Sequence, residues 1–505
     1  MTTVTDYEYD PNFFHHQVKS TSITNSDGKM YKTEILYPHD FTSSGNGIWT
    51  TLIDQNRIQS VGQELFADND KYAGQLNEYS LYNSVGPYIQ KIKVYEEGSD
   101  GVGNYVDNIV ISDYNPFTGK INLMNSEGWN DETFTYSATG QLASRTYDGF
   151  TTSYDYETMT DRLKTITEID GQNSEFEYDG LGRVIKNTQR TGNIITNIDY
   201  GFSPNFIETE NLFGTDVELV TRQEFDGLGR KTKTIRKYYK QGGGDVDMEY
   251  FYNTKGLVEQ ERDYSGNTTS YLYYNDPLNR LLSRTDPEGF TYTNTYAANG
   301  SQHPDYASGE LYETKTIDPD NLESVSLTDK LGRQVMSEKK GNGQSAKTYM
   351  HQDDKGRLVT IIPPDATIND AGLIYSYTYD GDDNVLTKKL PDMGLMEYSY
   401  DARNLTIGVK DPLMGENGKD WLCTIYDNFG RPVKMGFGSI ANQVPTVSDL
   451  LVENFYDGIA TGNSSNPIYK GKMDKSIVNI LDGYEKGPNN MSTCLLYTSP
   501  SPRDS

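Results

Sequence analysis

The chain has 505 residues, and 73 Asp and Glu against 45 Lys and Arg leave a formal charge of −28. A field that acidic excludes nucleic acid as a partner, and no stretch approaches the roughly 18 apolar residues of a membrane helix. Mean hydropathy is −0.71, yet 40 Tyr, 17 Phe and 3 Trp are more rings than a disordered chain carries, so the composition predicts a large β protein whose half-buried sheet faces pack the ring and leave the hydroxyl wet.

In chain order, residues 1–20 hold no basic start followed by an apolar run, so no export signal is legible. Residues 1–133 read as an N-terminal β segment, with alternating runs at Tyr31–Tyr37 and Tyr88–Tyr95 broken by turns at Ser44-Gly45-Asn46-Gly47 and from Gly98 to Gly103. Residues 134–437 form a repeat array. Residues 438–493 continue it with one short helix over Val447–Asn454, signalled by Ser448-Asp449, before a strand and turn at Phe455-Tyr456-Asp457-Gly458. The tail from Cys494 resembles a translated sequencing adapter, so residues 494–505 are read as an artefact and the natural protein is expected to continue past 493. Cys423 is then a lone thiol, expected to be a small core residue with no disulfide framework around it.

The array is legible from its turns. Tyr178-Asp179-Gly180-Leu181-Gly182-Arg183 recurs as Phe225-Asp226-Gly227-Leu228-Gly229-Arg230 and as Tyr426-Asp427-Asn428-Phe429-Gly430-Arg431. Looser copies place turn anchors at Gly140, Asp161, Gly182, Gly229, Gly256, Asn279, Gly332, Gly356, Asn384, Asn404 and Gly430, spaced 20 to 28 residues apart except for gaps of 47 and 53 that each hide a degenerate copy or an insertion. Each anchor is Gly, Asn or Asp, the residues that accept a left-handed backbone. Three residues upstream lies a side-chain oxygen in ten of the eleven copies, Gly381 being the exception, placed to hold the turn's N–H groups. Pairs such as Phe176 and Tyr178, or Tyr398 and Tyr400, share one strand face. The spacing fits one hairpin per unit. Such hairpins must join edge to edge into one antiparallel sheet, with aromatic faces stacking from repeat to repeat.

Tyr-x-Tyr-Asp-x-x-Gly-Arg at this period resembles the YD repeat of RHS (rearrangement hotspot) proteins, related to the teneurin shell, over residues 134–437, and the stretch from Lys389 to Asp427 is similar to RHS-type proteins of Bacteroidota. The resemblance implies a spiral β-sheet forming a partial hollow shell, secreted or at the cell surface, around a C-terminal cargo domain released by self-cleavage. The self-cleaving core has no counterpart in this chain, and Asp286-Pro287-Glu288-Gly289 reads as a connection between repeats.

No residue stands out for chemistry. His15, His16, His39, His303 and His351 lack metal-ligand spacing and are read as surface histidines. Asp380-Gly381-Asp382-Asp383-Asn384 opens like a calcium loop but lacks the later Gly and Glu, and Gly242-Gly243-Gly244 reads as a hairpin tip. Tyr178, Asp179, Gly182, Arg183, Phe225, Asp226, Gly229, Arg230, Tyr426, Asp427, Gly430 and Arg431 are read as structural, with each carboxylate on turn N–H groups and each guanidinium bridging to its own or a neighbouring hairpin. The expectation is a shell segment without enzymatic activity, cofactor or metal. A carbohydrate- or cell-surface-binding adhesion module, with exposed Tyr stacking on sugars, is the alternative, and a polysaccharide-active enzyme the weakest reading.

Overall fold

The computed structural model describes residues 4–9, 17–44, 47–82, 86–97, 103–189, 194–214, 216–238, 245–364, 366–391, 393–414, 420–456 and 473–478. Among them, 36 strands make one sheet, each strand pairing antiparallel with the next in the chain. The all-β hairpin array expected from the motif is what the chain forms. Its ribbon has two edges made of turns: a motif edge, carrying the Tyr-Asp turns, and an opposite edge.

The ribbon curls for a local reason. The ladder slips by a residue beside the motif aromatic in copy after copy, at Tyr156, Tyr178, Phe225, Tyr252, Tyr273, Tyr379, Tyr400, Tyr426 and Tyr456. A bulge bends its strand and adds twist. Repeated on one edge, it winds the sheet in one sense.

Faces follow the period of two. Along Asn173–Tyr178, Phe176 and Tyr178 are half-buried while Glu175 and Glu177 are exposed, and Phe150–Tyr156 alternates in the same way. Among the described residues, two compact clusters thicken this layer. One gathers Leu311, Val325, Leu327, Val335 and Met336, with Tyr306 and Tyr349 against it. The other sets Trp49 and Leu52 on Val61 and Tyr79.

The second cluster corrects the reading of residues 1–133 as strands alone. A 3-10 helix, Pro38–Ser44, and an α-helix, Gly47–Asp54, replace the expected turn at Ser44–Gly47; Gly45 and Asn46 lie outside the described residues. Trp49 and Leu52 fall three apart, so one helical face caps the sheet. A second correction concerns Val447–Asn454, which belongs to the strand Val444–Tyr456. Val444, Thr446, Val447 and Val452 favour a pleated surface, and the neighbouring strand Pro432–Ala441 needs a ladder partner. Ser448 and Asp449 lie where the ladder slips twice, and Ser448 Oγ donates to Phe437 O instead of capping a helix.

The two long gaps contain what the spacing required. In the first, the hairpin of Ile194–Phe202 and Asn205–Phe213 keeps the motif Tyr200 without its Asp and Arg. In the second, the loop from Asn299 to Leu311 is cross-tied by Asn299, whose Oδ1 accepts from Gly309 N and Leu311 N. Residues 241–244, the expected glycine tip, and the adapter-like tail lie outside the described residues.

Candidate functional site: the motif turns and the seam between coils

The motif turn is closed by its own residues. Asp179 Oδ1 accepts from Leu181 N and Arg183 N, both at 2.9 Å, and Oδ2 accepts from Arg183 Nε at 2.7 Å. Asp226 holds Leu228 N, Arg230 N and Arg230 Nε at the same distances, as Asp427 holds Phe429 N, Arg431 N and Arg431 Nε. Gly182, Gly229 and Gly430 carry positive φ. Ten of the eleven anchors have it. The exception is the Asp380 turn, where Asp383 and not Asn384 is left-handed, so the unit begins at Asp380, whose Oδ1 accepts from Asp382 N and Asn384 N.

The aromatic does more than pack. Tyr178 OH donates to Leu163 O at 2.7 Å, Tyr252 OH to Lys231 O at 2.6 Å, and Tyr426 OH to Thr406 O at 2.9 Å. Tyr136, Tyr156, Tyr200, Tyr273, Tyr296, Tyr379, Tyr400 and Tyr456 bond in the same way to a carbonyl just past the preceding motif turn. The hydroxyls expected to stay wet are ladder donors. Phe225 forgoes this bond, and Gln352 replaces it with Nε2 to Gln334 O at 2.7 Å.

Rings do not simply stack on rings. The guanidinium of one turn covers the aromatic of the next: Arg183 lies 4.1 Å from the Tyr200 centroid, Arg230 4.6 Å from Tyr252, Arg357 4.8 Å from Tyr379 and Arg431 4.4 Å from Tyr456. Arg357 Nη1 and Arg403 Nη1 also donate to Asp380 O and Asp427 O of the following turn. In the full copies of the motif, the aromatic, the Asp and the Arg thus close their own turn and tie it to its neighbours. Replacing Tyr252 by Phe is expected to cost about 1 kcal/mol, and Asp226→Ala, at an exposed turn, to lower the urea midpoint slightly with m unchanged. Because Arg230 touches both residues, the double variant should lose less than the sum; strict additivity would contradict the linkage.

Turns far apart in sequence meet along a seam. Asn25 Nδ2 donates to Asp329 Oδ2 at 3.0 Å across 304 residues. Ser26 Oγ donates to Glu310 O and accepts from Lys330 N. Lys29 Nζ reaches Asp354 Oδ1 at 2.6 Å across 325 residues, and Arg333 lies 5.2 Å from the Tyr31 ring centroid. Further along, Arg403 covers Trp129, Phe429 packs edge-on to Tyr147 and Phe150, and Tyr147 OH donates to Asn428 O at 2.6 Å across 281 residues. At Gly128, φ is +72° and a Cβ would lie 2.6 Å from the Ala402 carbonyl carbon, so only glycine fits. In each contact the motif edge of the later coil meets the opposite edge of the earlier one.

Acid groups meet midway along this seam. Burial first, then the facing carboxylates of Asp382 and Glu127, push the Glu96 carboxyl up. Burial, then Asp382 and Asp107, do the same for Glu127. Burial and Asp380 raise Asp382, against the pull of its hydrogen bond with Glu96 and of Lys355. A carboxyl raised in the folded state adds stability that is full below its unfolded pKa and is lost as pH rises through the folded value. Asp179, Asp226, Asp263 and Asp276 are held below the usual carboxylate range, chiefly by hydrogen bonds from their own turns, so their stabilisation is lost only as pH falls through that lower range. Hydrogen exchange around residues 94–97 and 380–384 should therefore slow as pH falls from neutrality towards the ordinary carboxylate range, after correction for intrinsic rates. Glu96→Gln should flatten this response; an unchanged pH dependence would count against the cluster.

The remaining sequence candidates are placed plainly. Cys423 is buried, its Sγ 3.7 Å from Ser439 O, and burial pushes its thiol up. His303 corrects the surface reading: it is buried, its ring edge-on to Tyr306 and Tyr349, and burial holds its pKa down. His15 and His16 lie outside the described residues. Asp286–Gly289 forms a turn on the opposite edge, with Phe290 N donating to Asp286 Oδ1. No helix among the described residues is long and apolar enough to cross a membrane.

A wound antiparallel ribbon, sewn at its full motif turns by an aromatic, Asp and Arg, defines a β-hairpin repeat wall. Residues 252–291 match the RHS Repeat family, and no curated protein matches the chain. Among solved structures, that of TcdB2-TccC3 superposes with a TM-score of 0.66 at 10% identity, over 91% of this chain and 29% of that one. TcdB2-TccC3-Cdc42 gives 0.65 at 10% identity, over 91% and 31%, and TcdB2-TccC3 without its hypervariable C-terminal region 0.62 at 10% identity, over the same shares. The chain therefore contains an RHS repeat and shares the fold of those structures. At that identity the structural likeness is one of fold, and the chain spans less than a third of those chains.

Proposed function

We propose that the chain is a length of wall from an RHS shell, secreted or at the cell surface, that encloses a cargo domain carried C-terminal to it on the same polypeptide. The observation that carries this reading is the seam, because a curled ribbon encloses volume only where successive coils join. One of the similar structures is of TcdB2-TccC3 without its hypervariable C-terminal region, and the proposal places a variable region C-terminal to the wall in this protein too. The wall itself is catalytically silent in this reading: Asp179, Asp226 and Asp427 have their oxygens on turn N–H groups and arginine. The test is limited proteolysis of the protein expressed from its complete reading frame. The C-terminal region should survive in the intact protein and be cut when Phe429→Asp opens the seam. Immediate digestion in the unaltered protein would overturn the proposal.

The adhesion reading has one supporting place, an open pocket of about 470 Å³ where Tyr88, Tyr114, Phe134 and Tyr136 present rings beside Arg57 and Lys120. Along the array, guanidinium groups already cover many motif rings, which works against sugar stacking there. Glycan-array binding abolished by Tyr88→Ala would promote this reading.

A further inference from the structure

The turn Tyr114-Asn115-Pro116-Phe117-Thr118-Gly119-Lys120 is a copy of the motif that lacks its carboxylate. Tyr114 OH donates to Ile89 O, Gly119 carries a φ of +67°, and Asn115 Oδ1 accepts from Phe117 N and Thr118 N, both at 3.0 Å. Lys120 stands where the full copies carry Arg and lies 5.5 Å from the centroid of the next motif ring, Tyr136. In the full copies the guanidinium is neutralised by the Asp of its own turn, Arg183 by Asp179 at 2.6 Å and Arg230 by Asp226 at 2.7 Å. Asn115 accepts hydrogen bonds as Asp does but carries no charge, so its turn leaves Lys120 uncompensated.

A second cation lines the same pocket. Arg57, just past the helix Gly47–Asp54, donates from Nη1 to Pro87 O at 2.6 Å, while Lys120 Nζ donates to Gly140 O. Both acceptors are uncharged carbonyls, which hold the cations in place without cancelling them, and among the described residues neither cation meets a carboxylate. In a chain of charge −28 this pocket is therefore locally positive. The rings surround the two cations. Tyr88 and Tyr114 stack at 4.9 Å with 28° between their planes, and Phe134 and Tyr136, two apart on the strand Glu132–Tyr136, complete the lining. A Cβ at Gly119 would lie 3.0 Å from Tyr88 OH, so the glycine lets the turn close against that ring. At about 470 Å³ the pocket has the size of a small-ligand site, and apolar walls with a few fixed polar groups are the make-up of such sites.

We propose that this pocket takes a carboxylate-bearing sugar, one uronate unit of an acidic polysaccharide, with the carboxylate on Lys120 and Arg57 and the C–H face of the ring on the aromatic lining. An open pocket walled by rings suits a ligand that lays one apolar face on them and turns its hydroxyls to water. A sugar ring does both, and only its acid form answers the two cations with opposite charge. The inference rests on the adhesion reading of this pocket, to which it adds the class of ligand, and it is independent of any cargo.

The test is isothermal titration of the full chain with oligomers of galacturonate, glucuronate and mannuronate, each as the free acid and as the methyl ester, which keeps the ring and removes the charge. At least one free acid should bind, its ester should bind about tenfold more weakly or worse, and salt should weaken the acid while leaving the ester unchanged. Arg57→Gln and Lys120→Gln should each erase most of the difference between acid and ester, and Lys120→Arg should keep it, with thermal unfolding unchanged. Should Lys120→Gln loosen its turn, Arg57→Gln, which lies outside the turn, decides alone. Equal binding of acid and ester, or a difference that survives Arg57→Gln, would overturn the inference and leave the adhesion reading standing. Benzoate binding as tightly as the oligomers would assign the pocket to an aromatic acid and overturn it as well. Binding of no oligomer in either form would remove the adhesion reading together with the inference, while the protease test of the wall is unaffected by any of these results.

Discussion

Asp329→Ala should destabilise the protein by about 3–5 kcal/mol, the range for breaking a buried charge pair. Asp329 occupies the same motif position as Asp226, yet it is fully buried. Its Oδ1 accepts from Leu331 N and Arg333 N, and its Oδ2 from Arg333 Nε and from Asn25 Nδ2 across the seam. The Arg333 side chain is only 16% exposed. Removing the carboxylate leaves that guanidinium with Tyr31 OH at 3.4 Å, Asp353 O at 3.3 Å and the Asp27 carboxylate at 3.9 Å as poor replacements, and it takes the partner of Asn25 Nδ2 as well. Urea unfolding of Asp329→Ala beside Asp226→Ala measures the difference. Equal, small losses at the two positions would mean that the seam near Asn25 does not exclude water. Asp329→Asn should recover only part of the loss, since its amide oxygen still accepts from Leu331 N and Arg333 N while its amide nitrogen, a donor, faces the donors Arg333 Nε and Asn25 Nδ2.

The contrast between these two aspartates shows what was legible in the sequence. The motif turn could be read because its partners lie within five residues: Asp179 bonds Leu181 and Arg183, and Gly182 supplies the left-handed φ. The hydroxyl ladder was harder. Its donor and acceptor lie one repeat apart, as in Tyr178 to Leu163 and Tyr273 to Val258, so the regular spacing contained the signal, but a phenol that packs and one that donates look alike in a chain of letters. At Asp380 the spacing points one residue past the true anchor because Asp383 and Asn384 both tolerate positive φ, and only the hydrogen bonds of Asp380 choose between them.

The seam left no periodic trace. Asn25, Gly128, Trp129 and Phe429 acquire meaning only when the ribbon has wound far enough to bring residues some 280 to 325 apart together. Tertiary context also overrode local signals at Val444–Tyr456, where a free ladder edge outweighed an N-terminal helix signature. His303 is a third instance. Nothing near it in sequence distinguishes it from a surface histidine, and its burial comes from the Asn299–Leu311 insertion folding against Tyr349.

That insertion sets the second large effect. Leu327 is fully buried in the cluster with Leu311, Val325, Val335 and Met336, and Leu327→Ala should cost about 2–5 kcal/mol. In most of the ribbon a repeat touches only its neighbours, and stability is close to a sum of local terms. At this cluster the loop supplies a second layer over the sheet, and the next turn, Asp329–Arg333, docks on Asn25 and Tyr31. The loss should therefore be regional. Hydrogen exchange should accelerate in Tyr312–Ile317, Glu323–Thr328 and Gln334–Gly341 and in the docked strand Met30–Leu36, while Asn173–Tyr178 and Val184–Gln189, in the unlayered part of the array, keep their protection. Uniform acceleration across all 36 strands would instead mean that the ribbon unfolds as one cooperative unit, and that the seam couples its coils more tightly than nearest-neighbour contacts alone provide.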